Sequence, residues 1–306
     1  MAIDVEQLID LDRFPIHRPG PELDALLADV RGKLDADGCA VLKGFVRPQG
    51  IDLLTQEAES VRDNGHRSYN RTNPYFTKDD PSLPQDDPRR AFFDRSNNFI
   101  PADNFQADGP LRRLHDFPAF DPFIKACMQQ EDFYRYADPL ADVIINMAEE
   151  GEGFPWHFDT NNFTVTLAIQ NAEMGGEFEY APNIRSGESG ESGKSGEGGE
   201  GGEGGASGGS SEAGENFPEV RRVLDGTSDK IVKLVLEPGD LQLFKGRYSL
   251  HRVAPLKGAT PRYVAIFSYV EEPNMVGAPE RTRQLYGKVL PIHLERAGQR
   301  ADAFID

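Results

Sequence analysis

The chain has 306 residues, a formal net charge of −18 and only two cysteines. That length allows one large domain or two small ones, with a core that needs no disulfide staples. Such an acidic balance argues against a polyanionic partner such as nucleic acid, because phosphate binding needs clustered Lys and Arg, and no apolar run reaches the roughly 18 residues of a membrane span.

The opening stretch MAIDVEQLIDLDRF is acidic and lacks a long apolar run, so it does not read as a signal peptide. Cys39 and Cys127 each stand alone in apolar surroundings and read as reduced core residues, which points to a cytoplasmic protein. Leu23, Leu26, Leu27, Val30 and Leu34 recur at helical spacing and predict an amphipathic helix over 21–35, with Gly38 at its exit. CAVLKGFV then reads as a strand, and Ile51, Leu54, Ala58 and Val61 suggest a second helix. Residues 63–110 are rich in Asn, Asp, Arg and Pro without a steady period, and are expected to form an irregular wrapping segment or lid. Residues 110–136 regain apolar content and predict helix.

From residue 140 onward, strand signals dominate. DVIINMA reads as a strand, and NFTVTLAIQN alternates Phe163, Val165, Leu167 and Ile169 against Thr164, Thr166, Ala168 and Gln170. A period of two puts the apolar set on one face. GEFEYAP, KIVKLVL, DLQLF and RYVAIFSYV are further strands. Residues 186–215 are almost wholly Gly, Ser and Glu, hold seven Glu and one Lys, and are expected to be a disordered, solvated insertion. Its ends can be joined cheaply because closure cost grows only logarithmically with loop length. Many short strands with Gly and Pro turns, flanked by helices, predict a mostly β, α+β chain built on a β-sandwich or jelly roll. The expected organisation is a single domain over 1–306: helical and irregular support with a lid over 1–136, a jelly-roll core over 137–275, and a tail over 276–306.

The stretch FPWHFDTNNFT carries the chemistry. His157 and Asp159 lie two apart, which on an extended chain puts both side chains on one face. His251, in GRYSLHRV, is the histidine best placed to join them. Two His and one carboxylate form the facial triad of non-haem Fe(II) oxygenases, which leaves coordination positions open for a co-substrate and O2. The plain alternative for H-x-D is a polar strand edge. Arg262 shifts the balance: it follows His251 by 11 residues and opens a strand, where a buried cation can anchor a carboxylate. A surface Arg at a strand edge is the plain alternative there. Trp156 reads as packing support for His157, while His17, His115 and His293 have no partner pattern and read as structural. No sequence feature sets the oligomeric state.

H-x-D, a distal His and an Arg about ten residues later resemble the Fe(II)/2-oxoglutarate-dependent dioxygenase superfamily. DGCAVLKGF, GGEFEY and HRVAPLKGATPR resemble the corresponding strand segments of that superfamily. DPSLPQDDPRR, GGEFEYAPNIR and GRYSLHRV further resemble the group that contains free-amino-acid halogenases and their hydroxylase relatives. The resemblance implies a double-stranded β-helix, the cupin-like jelly roll. It also implies that His157, Asp159 and His251 hold Fe(II), that Arg262 pairs with the distal carboxylate of 2-oxoglutarate, and that O2 is consumed. The implied reaction is hydroxylation of an unactivated C–H of a small molecule such as a free amino acid. Halogenases of this group carry a small residue where this chain has Asp159, so hydroxylation, or another oxidation such as desaturation, is expected instead. Asn146, 11 residues before His157, matches a 2-oxoglutarate-contacting Asn of the nucleic-acid repair members, although their following Tyr is Ala148 here. Thr166 is a candidate neighbour of the co-substrate, or a filler of the barrel interior. Thr160, Asn161 and Asn162, which follow the ligand pair, are candidate substrate contacts, as are Arg67 and Arg71 for a substrate carboxylate. Rival readings are a nucleic-acid or protein demethylase of the same superfamily, and a cupin-like barrel that binds without turnover.

Overall fold

The computed structural model describes residues 4–161, 163–185 and 214–296. Four helices support the sheet from the amino-terminal half: α1 (Val5–Leu8), α2 (Pro21–Asp37), α3 (Pro48–Val61) and α4 (Pro110–His115), followed by the α5 segment Phe120–Met128. Pro21 opens α2 at a position where its missing N–H costs nothing. Gly38 closes it at φ 64, returning its N–H to Leu34 O. These helices cover one face of a large antiparallel sheet.

The large sheet runs β1 (Cys39–Leu42), β10 (Leu241–Phe244), β7 (Thr164–Gln170), β12 (Arg262–Val270), β5 (Val143–Ala148), β3 (Phe93–Ile100) and β2 (His66–Thr72), with β4 (Tyr134–Arg135) pairing off β12. The smaller sheet runs β6 (Phe154–His157), β11 (Leu250–Val253), β8 (Phe178–Ala181) and β9 (Val232–Leu234). The two sheets stack as an open jelly roll. Phe178 and Tyr180 of the small sheet meet Phe244 of the large one at ring separations of 5.0 and 5.5 Å.

The alternation expected along β7 sorts as predicted. Phe163, Val165, Leu167 and Ile169 all enter the core beneath the helices, with Leu241, Leu243, Tyr263, Ala265 and Phe267. Phe267 is fully buried against Phe120 at 5.0 Å, and truncating such a ring costs about 3–5 kcal/mol. Thr164 and Thr166 face the other sheet. A second cluster covers the outer face of the small sheet: Trp156, Phe158, Ala181 and Leu250 pack under Val220 and Val223 of α6 (Phe217–Leu224). Trp156 therefore points away from the interior, with the Arg252 guanidinium 4.8 Å above its ring.

One expectation fails in residues 63–110. They contribute β2 and β3, so the large sheet takes two of its strands from the stretch expected to be irregular. The insertion over 186–215 lies outside the described residues except for Gly214 and Glu215, and Glu215 pairs with Arg185 at 2.6 Å. In the tail, α7 (Pro279–Tyr286) packs across β2 and β3. The short helix α8 (Pro291–Glu295) is fixed by His293, whose Nδ1 accepts from Leu290 N at 2.9 Å and whose Nε2 meets Asp138 at 3.0 Å. No helix among the described residues is long and apolar enough to cross a membrane.

Candidate metal centre

Register builds the centre. β6 and β11 are antiparallel neighbours in which His157 stands directly opposite His251, so both rings leave the same face and lie 4.2 Å apart. Asp159 follows just beyond β6. Its backbone N–H donates to Gly246 O at 3.1 Å, and its Oδ2 accepts the Thr164 hydroxyl. Oδ1 is thereby aimed at both histidines, 3.5 Å from His157 Nε2 and 3.3 Å from His251 Nε2. One ligand atom from each of the three residues lies within 4.8 Å of the others. Gly246 is required here: a Cβ at that position would stand 2.0 Å from Asp159 Oδ2.

The donor set fits a divalent metal. His157 Nδ1 pairs with Pro155 O at 2.8 Å and His251 Nδ1 pairs with Ser249 O at 2.9 Å. A carbonyl can only accept, so each Nδ1 carries the proton and each Nε2 keeps its lone pair for a metal. Burial, reinforced by the neighbouring His251, pushes the His157 imidazole down to about 4, so it is neutral at neutral pH. Burial alone would raise the Asp159 carboxyl. The two imidazoles outweigh it and hold Asp159 well below the usual carboxylate range. One carboxylate and two imidazole nitrogens on one side of a common point are what a facial triad requires.

Arg262 opens β12 on the face of the large sheet that is turned toward the small one, and it is buried. Burial pushes its guanidinium down to about 10, and no carboxylate or hydrogen-bond acceptor pairs with it among the described residues. It borders a cavity of about 200 Å³ with Gly176, Phe178 and Leu236. Gly176, at φ 74, gives it room: a Cβ there would come 3.2 Å from Arg262 Cδ. Asn146 lies on the same face, in register with Val264, and its amide makes only a 3.5 Å contact to Asn98 O. Thr166 also faces inward, but its hydroxyl donates to Gln242 Oε1 at 3.0 Å. Thr160 and Asn161 form a half-buried bend after the ligand pair, and Arg247 ties the Thr160 carbonyl at 2.7 Å. Asn162 lies outside the described residues.

The structure corrects the expectation for two arginines. Arg67 is paired with Glu149 at 2.6 Å and with Glu152, so its charge is already matched. Arg71 lies four residues on, on the same face of β2, and is exposed. That face is opposite to Ser68 and Asn70, which point inward.

The arginine that does approach the centre is Arg95 of β3, which sequence reasoning missed. Its guanidinium sits 4.8 Å over the Phe76 ring and 5.0 Å over the Phe154 ring, and its Nε donates to Asn97 Oδ1 at 2.9 Å. Burial and the like charge of Arg281 push it down to about 9, with Asp159 acting in the opposite sense. No carboxylate lies within ion-pair distance of it among the described residues. Thr164 and Gly246 were also missed as supports of Asp159. Their only sequence signals were an inward position on a strand and a Gly in a turn.

No known protein-family profile matches the sequence, and no curated protein matches it significantly. Solved structures do match. A prolyl hydroxylase from Trichoplax adhaerens, solved with a hypoxia-inducible-factor oxygen-degradation-domain peptide, superposes with a TM-score of 0.50 at 14% identity, covering 82% of this chain and 91% of that one. AviO1 from Streptomyces viridochromogenes Tue57 gives a TM-score of 0.49 at 17% identity, over 82% of this chain and 97% of that one. A 2OG-Fe(II) oxygenase family oxidoreductase from Burkholderia pseudomallei gives 0.46 at 12% identity, over 80% and 91%. The first of these establishes a shared fold, the jelly roll with flanking helices.

Proposed function

We propose that the protein is a non-haem Fe(II)/2-oxoglutarate-dependent oxygenase that hydroxylates an unactivated C–H of a small molecule, with a free amino acid as the substrate class. The observation that carries this reading is the pairing of two features: His157, Asp159 and His251 converge on one point of the small sheet, and Arg262, buried and without a partner among the described residues, stands on the large-sheet face turned toward that sheet. A barrel that only stored metal would have no use for that cation. Bound Fe(II) and 2-oxoglutarate would supply the oxidising power: C–H, O2 and 2-oxoglutarate become C–OH, succinate and CO2.

The chain's own residues bind and orient. His157, Asp159 and His251 would hold the metal from one side. Arg262 offers a bidentate partner to the distal carboxylate of 2-oxoglutarate. Asn146 and Thr166 stand on the same wall as candidate contacts to the co-substrate. Arg95, between two aromatic faces and near Asp159, takes the part expected of Arg67 or Arg71: it offers a cation to the carboxylate of an amino acid. The carboxylate of Asp159 fills the position that a halide would need, which supports hydroxylation over halogenation.

The test is anaerobic addition of Fe(II) and 2-oxoglutarate to the purified protein, followed by a succinate-release screen in air against the free amino acids. The expected results are a weak visible charge-transfer band, and succinate formation coupled to one class of amino acid. No band, together with no succinate even in the slow uncoupled reaction, would refute the reading.

A further inference from the structure

The loop Asn73–Thr77, read as NPYFT, is built around one fully buried side chain. Asn73 Oδ1 accepts from Tyr75 N at 3.0 Å and from Thr77 N at 3.1 Å. Its Nδ2 donates to Thr77 Oγ1 at 2.8 Å, to Thr77 O at 3.2 Å and to Arg89 O. The Asn73 carbonyl also accepts from Phe76 N at 3.2 Å. This loop touches the metal centre in two places. Pro74 O accepts the N–H of Phe158, the residue between His157 and Asp159, at 2.9 Å. Phe76 is held at φ 57, a left-handed conformation rare for a bulky residue, and its ring lies 5.7 Å from that of His157. The same ring carries Arg95 at 4.8 Å and Arg281 at 5.9 Å. Conformations of this kind persist where the surroundings over-determine them, and they cluster at functional sites.

We infer that Asn73 is a positioning residue for the metal centre: it shapes the 73–77 loop so that Pro74 fixes the peptide between two ligands and Phe76 walls the substrate side of His157. Without the Nδ2 donations the loop loses its tie to residue 89 and its left-handed turn. The Phe158 N–H then loses a fixed acceptor, and the His157–Asp159 pair can rotate out of register with His251. Partners that orient metal ligands typically change metal affinity about 10- to 100-fold when removed.

The inference rests on the metal-centre reading above, and the experiment separates the two. Fe(II) is titrated into the full chain under nitrogen with 2-oxoglutarate, comparing wild type, Asn73→Ala and Glu57→Ala. Glu57 accepts the Leu111 N–H at 2.9 Å in the helical layer, so its loss loosens the fold without touching the loop. The expected result is an iron affinity about 10- to 100-fold weaker and an altered charge-transfer band for Asn73→Ala, with both unchanged for Glu57→Ala. Wild-type affinity and band in a folded Asn73→Ala would overturn the inference and leave the function standing. No band in the wild type, together with no succinate in air, would overturn both. Should Asn73→Ala fail to fold, Thr77→Val removes only the 2.8 Å acceptor, and it must weaken iron binding in the same direction or the inference fails.

Discussion

Replacing Arg262 with Met separates stability from function at this site. The side chain is buried and has no anionic partner among the described residues, and burial lowers its guanidinium from the ordinary arginine range to about 10. At 1.36 kcal/mol per pH unit, burial disfavours the charged guanidinium by about 3 kcal/mol. Met keeps much of the length and carries no charge, so Arg262→Met should be more stable than the wild type without 2-oxoglutarate, by about 1–3 kcal/mol. For a domain of this size that is a rise in Tm of roughly 2–10 °C. Adding 2-oxoglutarate with Fe(II) should reverse the order. At a hundredfold excess over its Kd, a ligand adds about 2.7 kcal/mol to the wild type, while the variant, having lost the anchor, should gain almost nothing. Differential scanning fluorimetry with and without 2-oxoglutarate reads both effects. A variant that melts below the wild type without ligand, yet is stabilised by 2-oxoglutarate as strongly as the wild type, would refute the assignment of Arg262 as an anchor.

Gly246→Ala places a methyl 2.0 Å from Asp159 Oδ2, so it should abolish stoichiometric iron binding while leaving far-UV circular dichroism intact; retained binding would show that Asp159 is not held as described. Asp159→Gly should end hydroxylation, and wild-type turnover in that variant would remove Asp159 from the ligand set. Arg95→Leu should raise the KM for the amino-acid substrate at least tenfold and leave the KM for 2-oxoglutarate unchanged; equal effects on both would argue against a substrate role. His115 is fully buried among Phe120, Phe267 and Tyr269 with neither ring nitrogen bonded among the described residues, and burial pushes it down to about 2. The unfolded chain binds a proton near its ordinary 6.5 and the folded chain does not, so stability is retained above about pH 6.5 and lost as pH falls toward 2. The slope approaches 1.4 kcal/mol per pH unit from this group, and His115→Phe should flatten it in urea melts between pH 6.5 and 4.5.

What the sequence revealed divides along physical lines. The strands with one apolar and one small polar face, such as β7, were legible because one side meets the helical core and period two survives. The grouping of His157, Asp159 and His251 was legible because two of its members are two apart and the third lies in a strand of its own. β2 and β3 were not legible. Along FDRSNNFI the inward positions are Phe93, Arg95, Asn97 and Phe99, a mixed set that lines the site rather than a core, so no apolar face marks the strand. The same cause hid Arg95 and drew attention to Arg67 and Arg71, whose outward position only the register reveals. The resemblance implied the role of Arg262, and its burial without a partner became visible only once the strands were assembled.

Both metal-facing histidines are steered by the same device. Each Nδ1 binds the carbonyl two residues back in its own chain, Pro155 for His157 and Ser249 for His251. No side-chain substitution elsewhere can remove such an acceptor, so the tautomer of each ligand is a property of the local backbone and not of a supporting residue. The donor atoms are therefore set by the backbone, and little reorganisation would be required for a metal to bind there. It follows that the tautomers of the two imidazoles survive drift in the surrounding walls, even where the placement of one ring against the other does not. Asp159 differs: its hold depends on a hydroxyl and on the absence of a side chain at Gly246, and it is the ligand most exposed to mutational loss.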